Sequence, residues 1–356
     1  MIKVLELFAG IGACSKALER LGIEHEIVDA VEIDKYAIKA FNAIHHTNFE
    51  AQDITTWDKD IECDLIMHGS PCQDFSIAGK QAGGDIGSGT RSSLMYETLR
   101  IVEKLRPKYV IWENVKNILS KRHVHNWDMY AERMEELGYV NYCDVLNAKD
   151  YGIPQNRERV FTVSIYAGDG ILEYDFRTPE KIPLEKRLKD FLEKDVNDKY
   201  NISEKQLHGM LVTNYNSYKL SKLLKDKNGI VDTIKARFEG CPQLVVKTNN
   251  KKGYDIAHNG DAIDFSYPSS KTRRGRVGHG VCQTLPTQCT QGVMDNYIVR
   301  KLTPRECFRL MGFDDKDFDA CVAANISNAQ LYKIAGNSIV VNVLEHLLTN
   351  LLKGEL

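Results

Sequence analysis

Between residues 2 and 166, short apolar runs alternate with stretches whose apolar positions recur every three or four residues. The runs Ile2–Phe8, Glu26–Glu32, Asp64–Met67, Tyr109–Trp112, Val140–Leu146 and Val160–Tyr166 are predicted strands. Gly12–Leu21, Lys35–Ala43, Ser93–Leu105 and Asp128–Leu137 are predicted helices, and a short further strand is expected just ahead of Asp53 in QDI (Gln52–Ile54). Such alternation predicts an α/β fold: a parallel sheet with helices on both faces and ligands at the carboxyl ends of the strands. From about residue 170 the pattern breaks into polar, lysine- and asparagine-rich stretches with a few β-like runs such as Gln243–Lys247. Helical signals return at Pro304–Met311, and the apolar run Ser338–Leu352 predicts a final helix. The expected organisation is a sheet-bearing domain of residues 1–187 and 326–356, interrupted by a smaller, mostly β or irregular domain of residues 188–325.

Composition narrows the class. With 43% apolar and 27% charged residues in 356, the chain can bury one large or two ordinary cores. The start, MIKVLELFAG, reads as a strand and not as a signal peptide, and no apolar run is long enough to span a bilayer. Nine cysteines form no CxxC pair, so free thiols in a reducing cytoplasm are expected, and no metal site. Net charge is only −2, but it is unevenly spread. Residues 1–70 hold 13 acidic and 6 basic side chains, whereas 235–310 hold 13 basic and 6 acidic. A basic C-terminal region facing a polyanion fits that split, as does chance clustering of solvated charge.

Candidate chemistry falls on the predicted strand ends. In ELFAGIGA, Gly10 and Gly12 allow a sharp strand-to-helix turn and the close approach of a ligand to a helix N-terminus. Position 15 is serine, so the full dinucleotide fingerprint is absent. Glu32 ends the second strand 20 residues after Gly12, where a carboxylate can accept hydrogen bonds from both ribose hydroxyls, and Asp53 adds a second acid. Together they describe a nucleoside site. In GSPCQDFS, Pro71 fixes its own backbone, pushes Ser70 to an extended conformation and presents Cys72 on a rigid turn. Glu113 of the ENV triplet ends the next strand, and QNRER opens the last with Arg157 and Arg159 two apart, a strand spacing that puts both on one face. Each has a plainer reading as a helix cap or a surface salt bridge. Their concentration on one sheet edge argues for a site.

In this order, FAGIG, GSPCQDFS, ENV, QNRER, RKLTPRECFRLMGF (300–313) and GNSIVVNVLE (336–345) resemble the DNA (cytosine-5)-methyltransferases of bacteria and phages. The resemblance implies a Rossmann-like methyltransferase sheet plus a smaller target-recognition domain. It also implies S-adenosylmethionine as cofactor, with S-adenosylhomocysteine as product. The cofactor contacts it implies are Phe8, Gly10, Gly12, Glu32, Ile33, Asp53, Ile54, Pro71, Leu94, Asn337 and Ser338. Cys72 would be the nucleophile, adding to C6 of a flipped-out cytosine, with Glu113, Arg157 and Arg159 holding the base. Double-stranded DNA would be met by Gln73, Ser76, Arg273, Arg274, Arg276 and the Thr284–Leu285 pair. The base that removes the C5 proton is left open, a bound water included. One departure is the glycine-rich and slightly longer stretch GKQAGGDIGSGTRSSL (79–94). Its segment Gly79–Ser92, with five glycines, is expected to be a lid that closes on DNA.

A nicotinamide-dependent oxidoreductase would explain the glycines and Glu32 but not PCQ, ENV or QxRxR. A DNA-binding module without activity would not need Cys72, Glu113, Arg157 and Arg159 intact. A tRNA cytosine-5 methyltransferase of the same fold is the nearest alternative. The expected protein is a cytoplasmic monomer in DNA methylation. A cognate restriction endonuclease, the recognised DNA site and an orphan or restriction-modification context all stay open.

Overall fold

A computed structural model of the chain describes residues 1–71, 75, 83–84, 90–168, 176–210, 244–267, 277–295 and 298–353. In the first half, seven strands run β1 Ile2–Leu7, β2 His25–Val31, β3 Leu65–His68, β4 Tyr109–Val115, β5 Tyr139–Asn147, β6 Gln155–Asn156 and β7 Glu158–Tyr166. Between them lie helices α1 Ala13–Leu21, α2 Lys35–His45, α3 Met95–Leu105 and α4 Val124–Glu136. Six of the strands form one sheet in the order β2-β1-β3-β4-β7-β5.

The alternation of side chains along each strand explains the two covered faces. Val4, Leu65, Met67, Ile111, Val163 and Ile165 join one core with α1 and α2. Leu5, Leu7, Ile66, Val110 and Trp112 point the other way, into a core with α3 and α4. Burial also explains His68, whose imidazole meets the Tyr130 hydroxyl at 3.0 Å and stacks on Trp112. Burial pushes its pKa down to about 3, so the ring is neutral at working pH.

Two expectations change. The sheet is mixed and not parallel: β4 pairs antiparallel with β7, and β7 antiparallel with β5. Hydrophobic alternation predicts that a segment is a strand but carries no information on its direction. The reversal has a consequence for the site, because it brings the beginning of β7 to the edge where β1 to β4 end; Val115 lies opposite Arg159. The second change is the short strand expected ahead of Asp53, where residues 47–53 form none. Gln52 docks there, its N–H donating to the Glu32 carbonyl at 2.9 Å.

Among the described residues beyond 200 come α5 Glu204–Met210 and seven short strands: β8 Leu244–Lys247, β9 Tyr254–Ala257, β10 Ala262–Asp264, β11 Val277–Gly278, β12 Cys282–Gln283, β13 Gln291–Asp295 and β14 Ile298–Lys301. Six of them make a four-stranded sheet, β11-β10-β13-β14, and the pair β8-β9, around a small core that includes Leu207, Val246, Ile263, Phe265 and Met294, while β12 pairs with β6. Four helices close the chain: α6 Pro304–Leu310, α7 Asp315–Ala323, α8 Asn328–Asn337 and α9 Val341–Leu351. Cys307, Phe308, Phe318 and Cys321 lie in the same core as α1, α2 and α9. Residues 304–323, counted with the smaller domain on sequence grounds, thus pack with the large sheet. The fully buried Lys16 explains the attachment: its ammonium reaches Asp317 at 3.0 Å and Asp314 at 3.4 Å. No helix among the described residues is long and apolar enough to cross a membrane.

Candidate active site

The carboxyl edge of the large sheet carries a cleft lined by Glu6, Phe8, Gly10, Gly69, Glu113 and the Asn337–Ser338–Ile339 turn, among others. Its shape begins with the turn after β1. Phe8, Gly10 and Gly12 all have positive φ, at 52°, 57° and 76°. For Phe8 that is backbone strain of about 1–2 kcal/mol, held where the site is built. Gly12 has a second constraint, since a Cβ there would lie 2.1 Å from His45 Nε2. The helix start that follows has no capping side chain of its own. Glu6 supplies one from β1: its Oε1 accepts the Ser15 N–H at 3.0 Å and also the Ser15 hydroxyl. Burial pushes the Glu6 carboxyl up to about 7.

Glu32 stands at the rim. Oε2 accepts the Gly10 N–H at 3.0 Å and Oε1 the Asp34 N–H at 2.8 Å, which fixes the carboxylate plane while each oxygen keeps a lone pair. Burial raises its pKa despite those two bonds. Beside it Ile33 is 70% exposed, an apolar side chain of the kind a flat ring can cover. Asp53 is exposed and is used by Thr55, whose N–H and hydroxyl it accepts, while Ile54 is buried in the core beneath. Leu94 sits half-buried just ahead of α3, and Pro71 is half-buried after β3.

The segment that carries Cys72 is tied down on both flanks. Ser70 Oγ accepts from Trp112 Nε1 at 2.9 Å and from Asn114 Nδ2 at 3.2 Å. On the other side Phe75 is fully buried, and its carbonyl accepts from Asn117 Nδ2 at 2.6 Å. Thus β4 and the turn after it grip the loop before and after the cysteine. Cys72, Gln73 and Ser76 themselves lie outside the described residues, as do Arg273, Arg274, Arg276 and most of the Gly79–Ser92 stretch.

Glu113 and Arg159 are brought together by the β4–β7 reversal. Arg159 Nε lies 2.9 Å from Glu113 Oε1, and both side chains are largely buried, at 16% and 11% exposure. The other oxygen, Oε2, faces Gly69, where an added Cβ would come within 3.6 Å of it. Arg157 parts company with Arg159. It lies in the break between β6 and β7, and its guanidinium donates to the carbonyls of Ser338 at 2.8 Å, Gly336 at 3.3 Å and Leu285 at 3.5 Å. The expected shared face of the two arginines therefore does not form.

Through these bonds the Thr284–Leu285 pair reaches the site. Thr284 Oγ1 donates to the Asn156 carbonyl at 2.9 Å, and the Leu285 N–H donates to Gln155 Oε1 at 3.1 Å. β12 continues β6 as a parallel pair, Cys282 opposite Gln155. Sequence reasoning assigns no role to Glu6, Gly69, Trp112, Asn114, Asn117 or Gln155. Their only signal is their place in or beside the motifs, because most act on partners distant in the chain.

The family described as C-5 cytosine-specific DNA methylase matches residues 2–353. The chain is 32% identical to Type II methyltransferase M2.ScrFI of Lactococcus lactis subsp. cremoris, covering 100% of both chains. It is 32% identical to Type II methyltransferase M.HhaI of Haemophilus parahaemolyticus, covering 98% of this chain and 94% of that one. Orphan methyltransferase M.SPRI of Bacillus phage SPR is 30% identical, covering 99% and 97%. Among solved structures, the fold is similar to S. pombe Dnmt2 methyltransferase, with a TM-score of 0.61 at 19% identity over 100% of this chain and 99% of that one. Entamoeba histolytica methyltransferase EhMeth gives 0.64 at 17% identity over the same shares. A strained glycine turn, an oriented acid at the end of β2 and a carboxylate paired with an arginine on one edge agree with a match that runs almost end to end: the chain belongs to the C-5 cytosine-specific DNA methylase family.

Proposed function

We propose that the protein methylates C5 of a flipped-out cytosine in a specific double-stranded DNA sequence, using S-adenosylmethionine and a covalent bond from Cys72 to C6. The observation that carries this reading is the Glu113–Arg159 pair, set on the sheet edge between the glycine-turn cleft and the Ser70-anchored loop. Cytosine C5 is a poor nucleophile. Addition of the Cys72 thiolate to C6 forms a C–S bond and shifts the ring electrons toward N3 and O2, leaving C5 electron-rich. The charge that builds there needs a partner. Arg159 holds Glu113 Oε1, so Oε2 is the oxygen that would carry a proton and donate it to ring N3 as the charge builds, and the guanidinium would stand near O2. Loss of the C5 proton then returns the electron pair to the ring and expels the thiolate. Arg157 supports this edge from behind, through the main chain of 285, 336 and 338.

The cleft suits the cofactor. Gly69 lines it, and a Cβ there would fill the space between Ile339 and Glu113, at 3.4 and 3.6 Å. Glu32 would hold the ribose hydroxyls, Ile33 the adenine face, and the Phe8–Gly12 turn with Asn337 and Ser338 the remainder. When bound, S-adenosylmethionine supplies the electrophilic methyl group. Glu32→Ala is expected to weaken its binding by about 1.5–3 kcal/mol, the scale of hydrogen bonds to a charged acceptor, as read by calorimetry. Unchanged affinity would remove Glu32 from the site.

Methylation of duplex DNA and tRNA side by side, with labelled S-adenosylmethionine, tests the reading. Label in 5-methylcytosine of the duplex is the expected result; label in tRNA alone would replace DNA by RNA as substrate, and label in neither would end the proposal. Bisulfite sequencing of DNA from expressing cells would give the site.

Three of the basic residues counted in 235–310 are already paired: Arg300 with Glu306 and Asp295, Arg305 with Glu193 and Asp319, and Arg309 with Asp315. The backbone-contacting charge is assigned to Arg273, Arg274 and Arg276, because three arginines within four glycine-flanked residues suit phosphate contacts better than fixed base reading. Neutralising all three is expected to weaken cognate and scrambled duplexes alike. The slope of affinity against salt should flatten by about 0.9 log units for each DNA phosphate that no longer meets a cation. A selective weakening on the cognate duplex in a salt-series titration would make these arginines base readers instead.

A further inference from the structure

The smaller sheet carries a side-chain cluster that methyl transfer does not use. His258 and Asp261 flank the turn between β9 and β10, and His279 follows β11. All three converge: the ligand atoms that His258, Asp261 and His279 can offer lie within 4.8 Å of one another. Glycines make the approach feasible, since Gly260 and Gly280 adopt φ of 87° and 66°.

The central carboxylate is built in. Asp261 is 7% exposed; its Oδ1 accepts the Gly280 N–H at 3.0 Å and its Oδ2 the His258 N–H at 2.9 Å. Both imidazoles then turn Nδ1 to that same Oδ2, His279 at 3.0 Å and His258 at 3.4 Å. Three nitrogens thus crowd an oxygen that has two lone pairs. A second carboxylate, Asp255, lies 3.7 Å from His279 Nε2. Two imidazoles and an oriented carboxylate facing one point is the arrangement a borderline cation satisfies. Four-coordinate zinc, with bonds of about 2.0–2.2 Å, holds its ligand atoms about 3.3 Å apart. The observed separations bracket that value.

We propose that His258, His279 and Asp261 bind one transition-metal ion of the zinc class, with water completing the shell. Imidazole ligands favour zinc, cobalt or nickel over magnesium and calcium. Tyr254, Asp255, His258 and His279 border an open cleft that gives the ion entry. In the chain, Asp261 and His279 bracket the stretch that contains Arg273, Arg274 and Arg276, so the ion would close that stretch at its base. It would act as a staple between Asp261 and His279 and take no part in catalysis.

Cobalt titration of the full-length, chelator-stripped protein tests this. One equivalent of Co2+ is expected to give the visible absorption of a four-coordinate site without the near-ultraviolet charge-transfer band of a thiolate. The double variant His258→Ala/His279→Ala changes exposed side chains, and circular dichroism verifies its fold. It is expected to lose about tenfold or more in Co2+ affinity and to lose the gain in melting temperature that Zn2+ gives wild type. Equal titrations in wild type and variant, a thiolate band that survives the double substitution, or no saturable absorption would each overturn the site.

Discussion

Cys72→Ala is expected to lower methyl transfer by about 10⁴-fold or more while leaving a folded protein, because a nucleophile is removed from a loop whose anchors are elsewhere. Those anchors are Ser70, held by Trp112 and Asn114, and Phe75, held by Asn117 and buried in the core. None involves the cysteine side chain. The described cysteines make poor substitutes: Cys143, though exposed, lies on β5 at the opposite edge of the sheet from β2, and desolvation raises its thiol pKa. Cys14, Cys63, Cys282, Cys307 and Cys321 are buried. Burial pushes the Cys63 and Cys321 thiols up to about 12 and raises those of Cys14 and Cys282. Cys289 goes the other way through its contact with Cys307, but its Sγ is tied to the carbonyls of Gln291 and Leu302 at 3.4 and 3.8 Å. A duplex with 5-fluorocytosine at the target is expected to trap wild type covalently, since fluorine blocks the final elimination. An adduct that persists in Cys72→Ala, or maps to another cysteine, would sink the assignment. Glu113→Gln is expected to reduce turnover about 10²- to 10⁴-fold with DNA affinity little changed. A loss of several kcal/mol in stability there would instead mark the Glu113–Arg159 pair as structural.

Local chemistry is legible in the sequence, and long-range geometry is not. The glycines of ELFAGIGA announce positive φ, and Gly10 and Gly12 have it. Counting along a strand–helix–strand unit places Glu32 at the end of β2, and there its carboxylate accepts the Gly10 N–H. ENV and QNRER read as parts of one edge. That they touch, however, depends on a strand reversal that apolar alternation cannot encode. Arg157 shows the limit most clearly. Two arginines two residues apart share a face only if the strand is continuous, and here β6 ends before Arg157. Its partners, Leu285, Gly336 and Ser338, are more than a hundred residues away in sequence.

Helices α7 and α8 escape the periodicity for a related reason. In DKDFDACVA only Asp317, Phe318 and Cys321 are buried, too few for a clear apolar stripe. The stripe is short because part of the attachment is ionic: Asp317 faces the buried ammonium of Lys16, a residue that looks like a solvated charge on an amphipathic helix. A charge whose partner lies three hundred residues away reads as surface until the fold joins them.

Glu306→Ala is expected to destabilise the protein by about 3–5 kcal/mol, the cost of leaving a buried charge without its partner. The carboxylate is fully buried and takes Arg300 in a two-point grip, Nη1 to Oε2 at 2.9 Å and Nη2 to Oε1 at 2.8 Å. It also accepts the Thr303 N–H at 2.8 Å, closing the capping box of α6, and the Glu193 N–H at 2.9 Å. Its removal therefore orphans two main-chain donors and leaves Asp295 as the remaining carboxylate on Arg300 among the described residues. Loss of the cap side chain by Thr303→Ala provides the scale, at about 1 kcal/mol. Because Arg300 is on β14 and Glu306 on α6, the pair joins the smaller sheet to the helices that pack with the large one. Urea titration is expected to show a lower midpoint with the slope unchanged. DNA binding should then weaken more than S-adenosylmethionine binding, since the cleft at Gly10 and Glu32 shares no bond with this network. Replacing both Arg300 and Glu306 by apolar residues of similar volume is expected to recover much of the stability. A loss below about 1 kcal/mol for Glu306→Ala would mean that water reaches the pair and that packing alone holds the two parts together.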